Sequence, residues 1–241
     1  MTLPLAIWTT GAPVPQAEKT RGNFFEMIKL GVADGFLGQF VEVDCISRTE
    51  YPAPQEFSGI IVSGSPARLI DQEPWMLRAE EELRRAHLLN IPILGICFGH
   101  QLLGEALGGK VGPNPAGREI GTKRLQSIGE DPLLDGIEAP PLVVMTHLDS
   151  VLEAPQGARA TRASDVEPHA ALRFSETTWG VQFHPEMDAE IIAHYLEARR
   201  GEIESEGMHV DDLLKNRKDS PWGRLLLGRF GRFCATSAFE S

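Results

Sequence analysis

The sequence predicts an α/β protein: a doubly wound, mostly parallel or mixed sheet flanked by helices, with a C-terminal helical extension. Three features of the chain lead there. Short apolar, β-branched runs alternate with helix-like segments through the first half. The run Ile91–Ile96, IPILGI, is apolar throughout, as expected of a strand buried on both faces of a parallel sheet. A helix-like segment follows it across a turn framed by glycines.

Taken in order, LAIW (Leu5–Trp8) reads as the first strand and NFFEMIKLGV (Asn23–Val32) as the first helix. FVEVDC (Phe40–Cys45) and GIIVSG (Gly59–Gly64) read as strands, and Glu73–Leu89 as a helix by its 3.6-like apolar spacing. After Gly109 the pattern changes. REIGTKRLQSI, PLVVMTH, ARATRAS, HAALRFS and TWGVQFH are strand-like runs separated only by turns, which predicts antiparallel hairpins or a mixed extension of the sheet. AEIIAHYLEARR (Ala189–Arg200) then closes the core as a helix. Two more helices are expected around His209–Arg217 and Trp222–Phe233. No repeat or low-complexity linker divides the chain, so residues 1–200 read as one domain and 201–241 as an extension packed on it. Leu225, Leu226, Phe230 and Phe233 give that extension an apolar face bordered by Arg224, Arg229 and Arg232.

At 241 residues the chain has room for one sizeable core. No run approaches the roughly 20 apolar residues of a membrane span. MTLPLAIWTTGAPVP lacks the basic and apolar regions of a signal peptide, so a cytoplasmic location is expected. A net charge of −11 without a long basic run weighs against a nucleic-acid partner, and no membrane partner is expected either. Cys45, Cys97 and Cys234 are far apart and form no C-x-x-C pair, so no metal site is expected. Cys45 and Cys234 read as packed side chains.

Cys97 stands in PILGICFGHQLLGEALGG, after an apolar strand, before a helix and between Gly95 and Gly99. G-I-C-F-G has the form of a nucleophile elbow with cysteine in the serine position. Side chains two residues before and after such a turn would collide with each other or with neighbouring strands. The helix beginning after Cys97 turns its positive end to the sulfur, which favours thiolate. The Phe98 N–H, unpaired in the first turn, is free to bind an oxyanion. By itself the turn suits a packed cysteine equally well.

A partner base decides between these. His87, His194 and His209 read as solvated helix residues, and His169 opens a strand with no acid in register. His100, three residues after Cys97, has no carboxylate spaced to orient it. His184 ends TWGVQF and is followed by Pro185 and Glu186. Residues two apart in an extended chain point the same way, so Glu186 is placed to hold the imidazole as the acid of a triad does.

With G-I-C-F-G-H-Q and a downstream H-P-E, the chain resembles the class I glutamine amidotransferases of Cys-His-Glu type, which have a flavodoxin-like core. IIVSGSP (Ile60–Pro66) resembles the family's oxyanion-loop strand. MTHLDSV (Met145–Val151) and REIG (Arg118–Gly121) resemble segments of the GMP synthetase glutaminase domain. Ser65 stands where that subgroup has a second glycine, Leu148 replaces the glycine of S-H-G-D, and WTTGAPVPQAEKTRGNF departs from the usual first β–α turn. The resemblance implies that Cys97 attacks the glutamine side-chain amide, with His184 as base and Glu186 orienting it. It implies an oxyanion hole from the Ser65 and Phe98 amides, and substrate contacts from Gly64, Gln101 and the Thr146–His147–Leu148 backbone. It implies a small-molecule substrate, no cofactor, and ammonia passed to a separate synthetase partner. The same stretches also resemble γ-glutamyl peptidases acting on glutathione-like compounds, and a non-catalytic binding member is a third reading.

Overall fold

The alternating apolar runs assemble as a parallel sheet. The structure is a computed structural model and describes residues 2–136, 141–219 and 221–237. Strands β1 (Leu5–Thr9), β2 (Phe40–Asp44), β3 (Gly59–Val62) and β4 (Ile93–Ile96) lie in the order β2-β1-β3-β4, each parallel to its neighbours. Helices α1 (Pro15–Arg21) and α2 (Phe24–Val32) join β1 to β2, and α3 (Pro74–Leu88) joins β3 to β4. Asn23 caps α2 reciprocally with Glu26, which fixes its start. The sequence reading did not anticipate α1, whose short charged run has no apolar stripe; Pro15 in its first turn starts it.

After α4 (Phe98–Ala106) the chain is dominated by strands, as the turn-separated runs require. β5 (Lys110–Pro113) and β9 (Asp149–Glu153) form one antiparallel ribbon, and β6 (Glu119–Arg124) and β8 (Leu142–His147) another. β7 (Gln126–Ser127), β10 (Arg159–Ala163) and β11 (Ala171–Arg173) extend the main sheet antiparallel to one another. β12 (Thr178–Val181) joins the halves, antiparallel to β11 and parallel to β4. The sheet is thus an eight-stranded mixed sheet, β2-β1-β3-β4-β12-β11-β10-β7.

Strand alternation supplies two cores. Leu5, Ile7, Ile61 and Leu94 face the layer holding α2, α5 (Ala189–Ala198) and α8 (Pro221–Ser237). Ala6, Trp8, Ile60 and Val62 face α3 and α4 on the other side. Burying one such large side chain contributes about 1.5–3 kcal/mol. Between α5 and α8 run α6 (Arg200–Ser205) and α7 (Val210–Asn216). The Arg118 guanidinium of REIG fastens α6 by pairing with Glu202 and Glu206 at 3.1 and 2.8 Å.

The buried line of α8 is Leu226, Leu227, Phe230 and Cys234, while Leu225 is exposed, so the apolar face is turned from the one expected. Trp179 of β12 meets Phe230 and Phe233 edge-on, at 6.4 and 5.2 Å between ring centroids. Cys45 and Cys234 are fully buried, and burial pushes the Cys45 thiol up to about 12. Among the described residues, no helix is long and apolar enough to cross a membrane.

Candidate active site

β4 ends at Ile96 and α4 begins at Phe98, so Cys97 alone makes the turn between them. Its φ of 50° and ψ of −102° lie where a residue with a Cβ is strained. The flanking glycines answer to space. A Cβ on Gly95 would stand 2.4 Å from the Gly99 carbonyl oxygen, and one on Gly99 would stand 2.5 Å from the Val62 carbonyl oxygen. The turn therefore closes only with glycine on both sides.

His184 arrives from the neighbouring strand by a route the sequence did not show. β12 ends at Val181 rather than at the histidine. Beyond it the Gln182 N–H donates to the Ala170 carbonyl at 3.0 Å, and the His184 N–H to the Val144 carbonyl at 2.9 Å. The Met187 N–H then donates to the His184 carbonyl at 3.3 Å, closing a turn with Pro185 and Glu186 at its corner. This turn, not a strand's two-residue period, brings Glu186 back to the imidazole. His184 Nδ1–H donates to Glu186 Oε1 at 2.7 Å, with both side chains buried. Burial alone would lower the His184 pKa. The Glu186 carboxylate and the Cys97 sulfur override it and push the imidazole up to about 10.

The loops after β1 and β3 are laced together beside this group. Thr10 Oγ1 donates to the Gly64 carbonyl at 2.9 Å, and the Thr10 N–H donates to Ser63 Oγ at 3.1 Å. Ser65 does not adopt a positive φ, so no glycine is needed there. Gly64 is needed for room, since a Cβ on it would stand 2.8 Å from His184 Cε1. Neither the Ser65 nor the Phe98 N–H donates to an acceptor among the described residues.

Gln101 lies behind the thiol. Its Nε2 donates to the Asp149 carbonyl at 2.7 Å and to Gln182 Oε1 at 3.1 Å. Gln182, fully buried, donates in turn from Nε2 to Cys97 Sγ at 3.5 Å. The His147 imidazole is turned to Glu119 Oε2, 3.2 Å away, and its Nδ1 meets the Asp149 carbonyl at 3.1 Å. Leu148 exposes its side chain to solvent. His100 is packed against Phe174, and burial pushes it down to about 3. His87 is less solvated than expected, with Nδ1 2.9 Å from Thr178 Oγ1. Among the described residues, no group of three or more His, Cys, Asp or Glu side chains is placed to hold a metal ion.

Cys97, His184, Ser65 and Thr146 open into one cleft of about 260 Å³. It lies at the carboxyl ends of β1, β3 and β4, where parallel sheets place their sites. Phe98, Gly64, Gln101, His147 and Leu148 do not line it. Residues Ala12–Pro15 of the unusual first turn do, together with Phe24, Tyr195 and Arg199. Sequence reasoning missed Gln182, Tyr195 and Arg199. The one local signal was the four-residue spacing of Tyr195 and Arg199, which places both on one helix face.

Relatives of known kind agree with this architecture. A GMP synthase [glutamine-hydrolyzing] of Porphyromonas gingivalis is 40% identical over 139 residues, covering 56% of this chain and 26% of that protein. The chain thus spans about a quarter of the length of the curated relatives it matches. A glutamine amidotransferase structure from Thermotoga maritima superposes with a TM-score of 0.74 at 20% identity, covering 100% of both chains. A glutamine amidotransferase structure from Methylobacillus flagellatus gives a TM-score of 0.71 at 19% identity, over 98% of this chain and 94% of that one. The family model for glutamine amidotransferase class-I matches residues 32–199, and the chain belongs to that family.

Proposed function

We propose that the protein hydrolyses the side-chain amide of glutamine through a γ-glutamyl thioester on Cys97, giving glutamate and ammonia. The observation that carries this reading is the buried His184–Glu186 pair, 2.7 Å apart, whose histidine lines the same cleft as the cysteine that stands on a strained strand-to-helix turn. His184 takes the proton of the Cys97 thiol, the sulfur adds to the amide carbon, and the carbonyl electrons move to oxygen, where the Ser65 and Phe98 N–H groups receive them. His184 protonates the amide nitrogen, the C–N bond breaks and ammonia leaves. The neutral imidazole then takes a proton from water. Hydroxide adds to the thioester carbon, the C–S bond breaks, and the thiol regains its proton. Thr146 borders the substrate, and Gly64 keeps the space that His184 occupies. Gln101 acts from behind the thiol.

The cleft of about 260 Å³ lies below the roughly 300–1,000 Å³ of sites for drug-sized ligands, which suits a single amino acid over a tripeptide conjugate. Ammonia passes to an acceptor activated by a separate partner, consistent with the GMP synthases the chain resembles. In this reading residues 1–200 form the amidotransferase unit and 201–241 an extension on it, of which 220 and 238–241 lie outside the described residues.

The test is glutamate release from glutamine and, separately, from glutathione, by wild type and Cys97→Ala. Release from glutamine by wild type alone is the expected outcome. Hydrolysis of glutathione but not glutamine would replace this reading with a γ-glutamyl peptidase. Equal, non-zero rates in the two proteins would remove Cys97 from the mechanism.

A further inference from the structure

Two adjacent arginines at the junction of α5 and α6 stand in opposite electrostatic states. Arg200 pairs with Glu197, Glu204 and Asp211 at 2.9, 3.1 and 3.0 Å. Arg199, one residue earlier, has no carboxylate within 4.0 Å among the described residues, although the chain carries a net charge of −11. It faces the cleft instead.

Arg199 is nevertheless held in place. Its Nη1 donates to Thr146 Oγ1 at 3.0 Å, and its guanidinium lies 5.3 Å from the centroid of the Tyr195 ring. One of its five N–H groups is engaged by Thr146, and the planar fork is left without an anion. Among the described residues no Asp or Glu lines the cleft, whose other titratable side chains are Cys97, His184 and Tyr195. Asp188 caps the start of α5 immediately after the turn carrying His184 and Glu186, and Arg199 caps its end. One short segment therefore sets both the base and the cation.

We propose that Arg199 is the anion anchor of this site, binding the α-carboxylate of the γ-glutamyl substrate while Cys97 meets the side-chain amide. The proposal rests on the glutaminase reading above and adds the group that recognises the amino-acid end. In glutamine the two groups are separated only by the side-chain methylenes and the α-carbon, so one small cleft receives both. A guanidinium already fixed by stacking and by Thr146 meets a carboxylate in two parallel hydrogen bonds at little entropic cost.

The experiment compares L-glutamine with L-glutaminamide, which keeps the reacting amide but has no carboxylate. Wild type is expected to favour glutamine by about 100-fold in kcat/KM, and Arg199→Met to shrink that preference to within about threefold. A second measurement needs no turnover. Cys97 is alkylated by 6-diazo-5-oxo-L-norleucine, with loss of dinitrogen, or by iodoacetamide, with loss of iodide, and each adduct is followed by intact mass. Arg199→Met slows the first reaction about 100-fold and leaves the second at the wild-type rate. An unchanged preference in the variant overturns the proposal. A parallel fall in both labelling rates also overturns it, by assigning Arg199 to the shape of the cleft. If wild type reacts with iodoacetamide yet neither hydrolyses glutamine nor reacts with the diazo compound, the glutaminase reading itself fails.

Discussion

The side-chain amide of Gln182 donates to the sulfur of Cys97 at 3.5 Å, and Gln101 holds that amide from the other side at 3.1 Å. The Cys97 thiol is thus backed by a chain of two buried amides and shares its cleft with the His184 imidazole. Replacing Gln182 with Leu keeps its bulk and removes the donor. For the proposed hydrolysis of glutamine, kcat is expected to fall about 10- to 100-fold with KM within about threefold, since a hydrogen bond to a group that gains charge in the reaction is worth about 1.5–3 kcal/mol. Steady-state kinetics with glutamine decides it. A change confined to KM would place Gln182 with substrate binding.

The glycines of the elbow make a sharp pair with one elsewhere. Gly99→Ala drives a Cβ to 2.5 Å from a carbonyl oxygen of β3, so it is expected to cost about 3 kcal/mol or to prevent folding. Gly201→Ala in α6 meets nothing within 4 Å and is expected to be neutral or to stabilise by about 0.5–1 kcal/mol. Urea denaturation of both variants measures the contrast.

The raised pKa of His184 has a signed consequence. The imidazole rises from about 6.5 in the unfolded chain to about 10 in the fold. Its contribution to stability is therefore fully present below pH 6.5 and is lost as pH rises through about 10. Glu186→Gln removes the carboxylate that sustains the shift, so the loss moves to lower pH and becomes smaller. Urea midpoints at several pH values between these limits, with NMR titration of the imidazole, test the direction. An unchanged titration in the variant would exclude Glu186 as the cause.

Leu227→Ala tests how firmly the extension is built in. Leu227 is fully buried where α8 meets α2, and a Cβ on Gly31 would stand 2.4 Å from its Cδ1. Truncating it is expected to destabilise the whole fold by about 3 kcal/mol in a single transition. A separate early transition, seen by circular dichroism, would show that α8 unfolds independently.

The elbow was readable because its constraint is local: the turn is so tight that it dictates glycine at Gly95 and Gly99 within the same short stretch. His184 and Glu186 were readable because they flank a proline. Long apolar strands such as β4 announced themselves by composition. What escaped depends on partners distant in sequence. β12 stops early because the chain beyond Val181 is claimed by carbonyls of Ala170 and Val144, which no local pattern reveals. Gln182 looks like any strand residue until Gln101 and Cys97 are brought to it. Arg199 and Arg200 are identical in type and adjacent, and only the folded chain gives Arg200 three carboxylates and Arg199 none among the described residues. Leu225 shows the limit of a helical stripe, since tertiary packing chose a face one position away.

The contact between Gly223 and the histidine turn has a meaning for the order of synthesis. A Cβ on Gly223 would come within 2.2 Å of the Pro185 carbonyl oxygen, so the start of α8 lies directly against the backbone that carries His184 and Glu186. On the ribosome Cys97 emerges first, the histidine turn second and α8 last. At about 5–20 residues per second, α8 trails the turn by a few seconds. Through that interval the turn carrying His184 and Glu186 lacks the helix start that packs against its backbone, so the residues of the cleft are made before the element that backs them.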